Sequence, residues 1–542
     1  MRTLPIGYCL LLACLMICCS SCETPDNPEM TEQIIQSRKL RSLIQSDPHR
    51  PIYHFVAPEG RAYPFDPNGA IFWNGQYHLG FIYQYLANGK REHFWGHAVS
   101  NDLLHWTLLP DMLSAREGDI ERGIFSGGAF LSREGIPHIM YHGEGSSTNL
   151  VAYSTDPDLK EWKKFEGNPV LRTPGEGHPD HGKYDAWDPE GWYDAETDYY
   201  YQISGGNPAG FFRSEDMRSW EYLGDLIDQN NRMRHDFEDL SCPDFFALGD
   251  KHMLLFISHN LGTQYYLGEW SDGTFTPERH DRMNWPGGTF FAPEQLVDDK
   301  GRNIIWGWVL ERRPDLLDWV NRENKNIKRP ENQPARGWSG IMSLPRVVSL
   351  SETGDVLVNP PDELRSLRWD EHAEGPLTLS AGMDYLLSGR GKSLEIEVLF
   401  DGGNATEYGI KVFSSADGRE ETIVKYDAVS NELVIDFSHS AASGEGSVNM
   451  LPNAMLEPQL EGFLKNVSEQ RAPLLLGEGE NLQLDVFIDR SVIEVFANGR
   501  LCVTQVVYPE LPESDRIVLF ASDNEVDLTR ATTWRMASTN MY

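Results

Sequence analysis

The sequence predicts an all-β protein in which a β-propeller is followed by a β-sandwich. Between about residues 50 and 360, short apolar and aromatic runs alternate with Gly, Asp and Asn turns, without a persuasive helical period. Beyond about residue 370, apolar and polar residues alternate strictly, and Asn498-Gly499 gives a hairpin signal. The first pattern favours many short strands, and the second is typical of a sandwich.

Three stretches of the first region repeat one pattern: an apolar strand, a Ser-Asp-like turn and a strand that begins near a Trp. They read HAVSNDLLHWTLL, VAYSTDPDLKEWKKF and GFFRSEDMRSWEYL, and they begin at residues 97, 151 and 210. A repeated four-stranded blade explains this spacing better than a sandwich does. We therefore expect a propeller over residues 49–358, a Pro-containing linker over 359–370 and a sandwich over 371–542.

The N-terminus has the pattern of an export signal. A basic start precedes a short apolar run, and Ser20-Ser21 precede Cys22. This run is too short to span a membrane, so the pattern predicts a signal peptide over residues 1–21. The small residues resemble a bacterial lipobox with lipidation at Cys22, although Cys19 departs from the usual Leu. Plain secretion and a retained anchor are the alternatives.

The polar, Pro-containing segment that follows predicts a tether over residues 22–48. A lipid anchor on a bacterial membrane would then place the folded domains in the periplasm or on the outer surface.

Charge and composition exclude several classes of function. The chain has 82 Asp plus Glu against 47 Lys plus Arg, which gives a formal net charge of −35 and disfavours nucleic-acid binding. Only Cys242 and Cys502 lie beyond the N-terminal segment, so no disulfide framework is predicted. The histidines lack the spacing of metal ligands, and neither a metal nor another cofactor is expected.

Eight short strings occur in order across nearly all of the mature chain. They are DPNG (66–69), YHLGFIYQY…FWGHAVSNDLLHW (77–106), FSGG (125–128), WDPEGW (187–192), CPDFF (242–246), GRNIIWGW (301–308), GWSGIMSLPR (337–346) and FIDRSVIEVFANGR (487–500). Together they resemble the fructan and sucrose hydrolases of glycoside hydrolase family 32. The resemblance implies a five-bladed propeller with the active site in its central funnel, a C-terminal β-sandwich and retaining hydrolysis of β-fructofuranosides.

Two Asp-Pro turns carry the first two candidate catalytic acids. Retaining glycosidases use one carboxylate as nucleophile and a second carboxyl as acid/base, about 5 to 5.5 Å apart. In DPNG, the Pro and Gly favour a rigid turn that presents Asp66, although such an acid can also simply organise a loop. The resemblance makes Asp66 the nucleophile and Asp188 the stabiliser of the oxocarbenium-like transition state. Asp185 and Glu190 are the alternatives to Asp188.

The third acid departs from the family pattern. The resemblance places a Glu directly before the Cys of CPD, whereas this chain has Ser241 there. Glu238 is our predicted proton donor, because its spacing from Asp188 fits the family, and Asp239 is the alternative. We expect burial and the Asp66 charge to raise the pKa of Glu238.

The resemblance also suggests residues that bind the sugar. Gln84 and Trp95 would contact the furanose, Ser126 would support the funnel wall and Trp338 would line its mouth.

Phe65 and Trp187 are also predicted to lie at substrate-binding positions. The resemblance implies that they replace an Asn and an Arg that normally bind fructose hydroxyls, so those hydroxyls need other partners. Arg91, Lys183 and Arg234 are candidates to compensate.

Three hypotheses follow for an oligo- or polysaccharide substrate. The first is a retaining β-fructofuranosidase acting on fructans or sucrose-like oligosaccharides. The second is a glycosidase of the same fold for another furanoside, which the replacements at Phe65 and Trp187 suggest. The third is a non-catalytic glycan-binding lipoprotein, which the missing Glu at Ser241 suggests.

Overall fold

The computed structural model describes residues 28–57, 65–87, 90–227, 231–235, 238–311, 338–444 and 467–540. These belong to two units, one comprising residues 1–48 with Tyr542 and the other comprising His49–Met541. In the smaller unit the described residues form one helix, α1 (Pro28–Ser46), so this part of the predicted tether is helical, which its polar composition did not predict. The predicted signal peptide and Cys22 lie outside the described residues. No described helix is long and apolar enough to cross a membrane.

The larger unit begins with five small antiparallel sheets, which are the blades of a propeller. A short strand comes first, β1 (Val56–Ala57). The first blade has β2 (Pro67–Trp73), β3 (Gln76–Ala87), β4 (Lys90–Ser100) and β5 (Thr107–Leu113). The second has β6 (Ile124–Leu131), β7 (Pro137–Gly143), β8 (Thr148–Tyr153), β9 (Lys163–Lys164) and β10 (Leu171–Arg172).

The remaining three blades follow in chain order. The third has β11 (Pro189–Asp194), β12 (Tyr199–Ser204), β13 (Gly210–Ser214) and β14 (Glu221–Gly224). The fourth has β15 (Ser241–Leu248), β16 (Lys251–Ser258), β17 (Gly262–Ser271) and β18 (Thr274–Arg282). The fifth has β19 (Phe290–Val297), β20 (Asn303–Val309), β21 (Ser339–Met342), β22 (Arg346–Leu350) and β23 (Val356–Asn359).

The first strands of the five blades form a closed inner ring. Contacts run from β2 to β6, β11, β15 and β19, and β19 returns to β2. The N-terminal strand β1 pairs with β21 and so completes the fifth blade. Such closure leaves few open sheet edges, and the predicted five-bladed propeller is confirmed.

The three repeated sequences occupy equivalent positions in three blades, namely the turns after β4, β8 and β13. In each turn an Asp carboxylate accepts backbone N–H groups, the acceptors being Asp102, Asp156 and Asp216. Each turn also holds one apolar residue at positive φ, namely Leu103 (69°), Leu159 (53°) and Met217 (59°). These apolar side chains are buried, and burial keeps them in a conformation that such residues rarely adopt.

A short 3₁₀-helix, Asp362–Leu367, leads into the sandwich. Its strands are β24 (Arg368–Glu374), β25 (Leu377–Leu379), β26 (Asp384–Arg390), β27 (Ser393–Gly403), β28 (Glu407–Ser414), β29 (Thr422–Asp427), β30 (Glu432–Asp436), β31 (Glu469–Pro473), β32 (Leu482–Asp489), β33 (Val492–Ala497), β34 (Leu501–Val506), β35 (Arg516–Ala521) and β36 (Val526–Met536). They form one seven-stranded and one six-stranded sheet, and the first strand begins within the predicted linker. Alternate apolar residues of both sheets form one core, including Ile396, Leu484, Ile410 and Leu519.

Four inner strands have an irregular register near their beginning. The shifts lie between Asn68 and Ile71 in β2, Ile124 and Gly127 in β6, Ser241 and Asp244 in β15, and Phe291 and Glu294 in β19. Bulges of this kind bend a strand and re-aim its side chains, and they are common beside active sites. The beginnings of the inner strands, where Asp66 and Asp188 also lie, therefore mark the functional end of the propeller.

Candidate active site

Asp66 is fixed in place by a small hydrogen-bond network at the beginning of β2. Its Oδ2 accepts a bond from the Ser126 hydroxyl (3.1 Å), and its carbonyl accepts one from the Asn68 amide (2.7 Å). Asn68 in turn accepts a bond from the backbone N–H of Gly127 (2.9 Å), which ties the first blade to the second. Asp66 Oδ1 is buried and makes no hydrogen bond within the described part of the protein.

Asp188 lies at the beginning of β11 and faces groups from two other blades. Its Oδ2 lies 3.4 Å from the Cys242 backbone nitrogen and 3.7 Å from the Cys242 sulfur. Its Oδ1 lies 3.5 Å from His142 Nδ1. The Asp188 carbonyl accepts a bond from the Gly205 N–H (3.0 Å), which fixes the turn.

The two aspartates interact electrostatically. Burial raises the pKa of Asp66 to about 7, the charge of Asp188 adds to this rise and the Ser126 hydrogen bond opposes it. Like charges in a buried site disfavour joint ionisation. The structure therefore brings together the two acids that the Asp-Pro turns predicted.

The alternatives to Asp188 lie elsewhere. Asp185 contributes its carbonyl as an acceptor for Ser204 (2.8 Å). Glu190 lies further along β11 and is buried with Asp244 and Glu294. Burial keeps the pKa values of all three carboxyls well above normal, and repulsion from the neighbouring carboxyls adds to the rise for Glu190 and Glu294. Because these carboxyls are buried and electrostatically coupled, we assign them to the interior of the inner ring.

Glu238 is buried but lies among groups of the fourth blade. Its Oε1 accepts a hydrogen bond from the Tyr266 hydroxyl (2.7 Å), and its Oε2 lies 3.4 Å from His280 Nε2. Burial raises the pKa of Glu238, as predicted, but the neighbouring charges that act on it belong to Arg234 and Asp239. The expected contribution from Asp66 is therefore replaced by these closer groups.

Asp239 forms a tight pair with His259. Its Oδ2 lies 2.6 Å from His259 Nδ1, and its Oδ1 accepts bonds from the His259 N–H (2.9 Å) and the Ser258 hydroxyl (2.8 Å). Burial alone would raise the pKa of Asp239, but these hydrogen bonds and the His259 charge lower it. Burial lowers the pKa of His259, but the hydrogen bond and charge of Asp239 and the charges of Asp188 and Asp66 raise it, so the two candidate acids interact electrostatically with this pair.

A chain of polar contacts links Gln84 to His93 and His93 to Glu144. Its amide nitrogen lies 2.8 Å from His93 Nε2, and His93 Nδ1 lies 2.9 Å from Glu144 Oε2. The His93 contact orients the Gln84 amide, as a sugar-binding group requires. Ser126 donates a hydrogen bond directly to Asp66, so it helps to fix the side chain of the candidate nucleophile.

Trp187, which directly precedes Asp188, has a large and partly exposed aromatic ring. Its side chain is 38% exposed, its indole N–H donates to the Ser241 hydroxyl (3.1 Å) and its ring centroid lies 4.6 Å from that of His142. This arrangement gives a flat apolar face beside Asp188 where the family resemblance expects an Arg.

The proposed compensating charges are engaged elsewhere. Lys183 pairs with Asp180 (2.8 Å) at the surface, and Arg234 pairs with Asp225 (3.4 Å) and the Glu238 carbonyl (3.2 Å). The side chain of Arg91 lies outside the described residues.

Three predicted sugar contacts are wrong, because the side chains are buried in cores. Phe65 packs between Phe55 and Phe81 with no exposed surface. Trp95 is also fully buried, and its indole N–H donates to the Phe125 carbonyl (3.0 Å). Trp338 is 2% exposed and lies in an apolar cluster that includes propeller and sandwich side chains.

Two functional candidates were missed from the sequence, His142 and His259. His142 is the second-last residue of the buried strand β7, in MYHG, and His259 directly follows β16, in ISHN. A His at the end of an apolar strand is the signal that could have found them. Cys242 is buried, and burial and the Asp188 charge raise the pKa of its thiol, so it supports the site without being a reactive thiolate.

Comparisons with known proteins agree with this architecture. The family model described as glycosyl hydrolases family 32 N-terminal domain matches residues 54–361, and the model of the family 32 C terminal matches residues 363–535. The chain is 26% identical over 516 residues to a sucrose-6-phosphate hydrolase of Escherichia coli, covering 90% of this chain and 94% of the relative. It is 28% identical over 529 residues to a levanase of Bacillus subtilis, covering 91% and 71%.

Among solved structures, fructan 1-exohydrolase IIa of Cichorium intybus superposes with a TM-score of 0.73 at 21% identity. The match covers 91% of this chain and 98% of that one. An exo-inulinase of Aspergillus awamori gives a TM-score of 0.70 at 22% identity, covering 91% and 99%. These likenesses support the fold, and the two family models together span both domains. The chain therefore belongs to the glycosyl hydrolases of family 32.

Proposed function

We propose that the protein is a retaining β-fructofuranosidase that releases fructosyl units from fructans or sucrose-like oligosaccharides. The observation that carries this proposal is the electrostatic interaction between Asp66 and Asp188, which come from different blades, together with a buried Asp66 Oδ1 that makes no hydrogen bond within the described residues. The levanase and sucrose-6-phosphate hydrolase relatives support the substrate class.

In this mechanism the ionised Asp66 attacks the anomeric carbon of the fructosyl unit. The glycosidic oxygen takes a proton and leaves as an alcohol, and water then hydrolyses the ester to Asp66. Asp188 stabilises the positive charge that develops on the sugar ring, an electrostatic contribution that is large in a buried site. Ser126 holds Asp66 in position for attack.

A second candidate function is cleavage of a different furanoside by the same acids. It is favoured by Trp187, whose exposed ring replaces a polar group that usually binds fructose. An apolar face suits a sugar with fewer or modified hydroxyls.

The test is product analysis with purified protein on inulin, levan, sucrose, sucrose-6-phosphate and an aryl arabinofuranoside. Release of fructose, with loss of about 10⁴-fold or more in Asp66→Ala, supports the first function. Asp198→Asn, in the hairpin between β11 and β12 at the opposite end of β11 from Asp188, is the control and should retain wild-type activity. Release of arabinose alone supports the second function, and binding of fructan without turnover of any substrate contradicts both.

We also propose that the protein is exported and anchored by a lipid at Cys22. The support is the short apolar run followed by Ser20-Ser21-Cys22. The expected result is recovery of wild-type protein with membranes, and of Cys22→Ala either in the soluble fraction or as uncleaved precursor. Recovery of wild-type protein from the soluble periplasmic fraction would contradict the anchor.

A further inference from the structure

The position where the family resemblance expects the acid/base carboxyl holds a hydroxyl. Ser241 begins β15, is 1% exposed and accepts a hydrogen bond from the Trp187 indole. A serine hydroxyl is a very weak acid and cannot protonate a glycosidic oxygen efficiently near neutral pH. The proton must therefore come from another group near the beginning of β15.

Glu238 is poorly placed to supply it. Its two carboxylate oxygens face Tyr266 and His280, which belong to the outer strands β17 and β18 of the fourth blade. The side chain is only 5% exposed. These contacts direct the carboxylate into the blade.

The pair of Asp239 and His259 lies at the right end of the blade. Ser241 pairs with Ile257 across β15 and β16, so Asp239 and His259 extend beyond that pair on the same side of the hairpin. Leu240, next to Asp239, exchanges two backbone hydrogen bonds with Gly206 (2.6 and 3.2 Å). Gly205 in turn donates to the Asp188 carbonyl (3.0 Å), so this segment is fixed to the strand end that carries Asp188.

The orientation of His259 leaves one ring nitrogen for a substrate. Asp239 engages Nδ1 at 2.6 Å, and the side chain of His259 remains 29% exposed. The hydrogen bond to Asp239 raises the pKa of His259 against the effect of burial, and the charges of Asp66 and Asp188 raise it further. The imidazolium is thus favoured where an acid is needed.

We infer that His259, oriented by Asp239, is the acid/base of this enzyme; this rests on the proposed β-fructofuranosidase function. In the first step, His259 Nε2–H gives its proton to the glycosidic oxygen while an Asp66 carboxylate oxygen bonds to the anomeric carbon and the C–O bond breaks. In the second step, neutral Nε2 takes a proton from water, whose oxygen displaces Asp66 from the anomeric carbon. The imidazolium and the free Asp66 carboxylate are then restored.

The experiment compares inulin with β-D-fructofuranosyl fluoride, whose fluoride leaves without a proton. His259→Ala should lose at least 100-fold in kcat on inulin but less than tenfold in the first-turnover release of fluoride, because only the later hydrolysis of the ester still needs the general base. Sodium azide should accelerate this variant on the fluoride and give fructosyl azide, because azide attacks the sugar–Asp66 ester without a general base. Asp239→Asn, at the positioning residue, should lower kcat on inulin at an unchanged KM.

Two further variants sharpen the comparison, with melting temperatures measured for each. His105→Ala removes a surface His–Asp pair with a 2.8 Å contact to Asp102 and should keep wild-type kinetics. Glu238→Gln should affect both substrates equally.

Two outcomes would overturn the inference while leaving the proposed function intact. In the first, His259→Ala loses activity equally on inulin and on the fluoride. In the second, Glu238→Gln loses activity mainly on inulin and is the variant that azide accelerates. Absence of turnover by the wild-type protein on both substrates would overturn the proposed function and the inference with it.

Discussion

At the scale of single residues, the burial of Asp66 sets the acidic limb of the pH profile, and repulsion from Asp188 moves it to higher pH. The pKa of Asp66 is raised to about 7, and attack requires its ionised form, so kcat/KM should rise with pH through about 7. Asp188→Asn removes a negative charge and so lowers the pKa of Asp66. We expect Asp188→Asn to have a lower kcat/KM, with the acidic limb of its kcat/KM profile at lower pH than in the wild type. Asp198→Asn should leave the limb unchanged, and an unchanged limb in Asp188→Asn would contradict the coupling.

The sequence gives more information about the candidate acids than about the sugar contacts. The family resemblance assigned the roles of Asp66 and Asp188, and an Asp before Pro has few conformations, so its local turn restricts where its side chain points. Phe65 and Trp95 were misplaced because an aromatic side chain is equally compatible with a core and a binding face, and only packing decides. His259 was missed because its role depends on Asp239, which is distant in sequence.

At the scale of an element, Gly69 allows the irregular beginning of β2 to hold Asp66. Its φ is +56°, and a Cβ there would lie 2.8 Å from Trp95 Cζ3. Gly69→Ala should therefore move the buried Trp95 ring or the turn, and lower kcat on fructan by more than tenfold. Gly75→Ala is the matched control, because its φ is +80° and its Cβ would meet no atom within 4 Å. It should lose about 1 kcal/mol of stability but no activity, and equal kinetics in the two variants would count against the argument.

The elements themselves were largely predictable, because each blade repeats local chemistry. The Asp102, Asp156 and Asp216 turns could be recognised from Ser, Asp and Trp spacing. The bulges could not be predicted from the sequence. The positive φ of Cys242 (44°) and Ala292 (45°) is imposed by the ring of inner strands and is not a preference of Cys or Ala. Helix α1 was missed since its polar sequence has little apolar periodicity.

At the scale of the whole domain pair, buried charges join the propeller to the sandwich. Asp489 of β32 accepts backbone N–H groups of Ile52, Tyr53 and His54 at 2.8 to 3.0 Å. Glu494 of β33 lies 3.0 Å from Arg346 of β22, with both side chains fully or almost fully buried. Removing one partner of such a pair leaves an uncompensated charge, so these contacts favour one arrangement of the two domains.

His54 makes this interface sensitive to alkaline pH. It lies 3.0 Å from Asp489 and 3.3 Å from Glu494, and although burial alone would lower its pKa, these carboxylates raise it from 6.5 to about 9. Because the folded protein holds this proton more tightly, the stabilisation is complete below pH 6.5 and is lost as pH rises through 9, an effect of about 3 kcal/mol. Urea unfolding between pH 7 and 9 should therefore show a steep loss of stability in the wild type. His54→Gln should be less stable at pH 7 and change less with pH, whereas His105→Gln, at the exposed pair, should follow the wild type. Parallel pH curves for His54→Gln and the wild type would mean that the proton on His54 does not hold the two domains together.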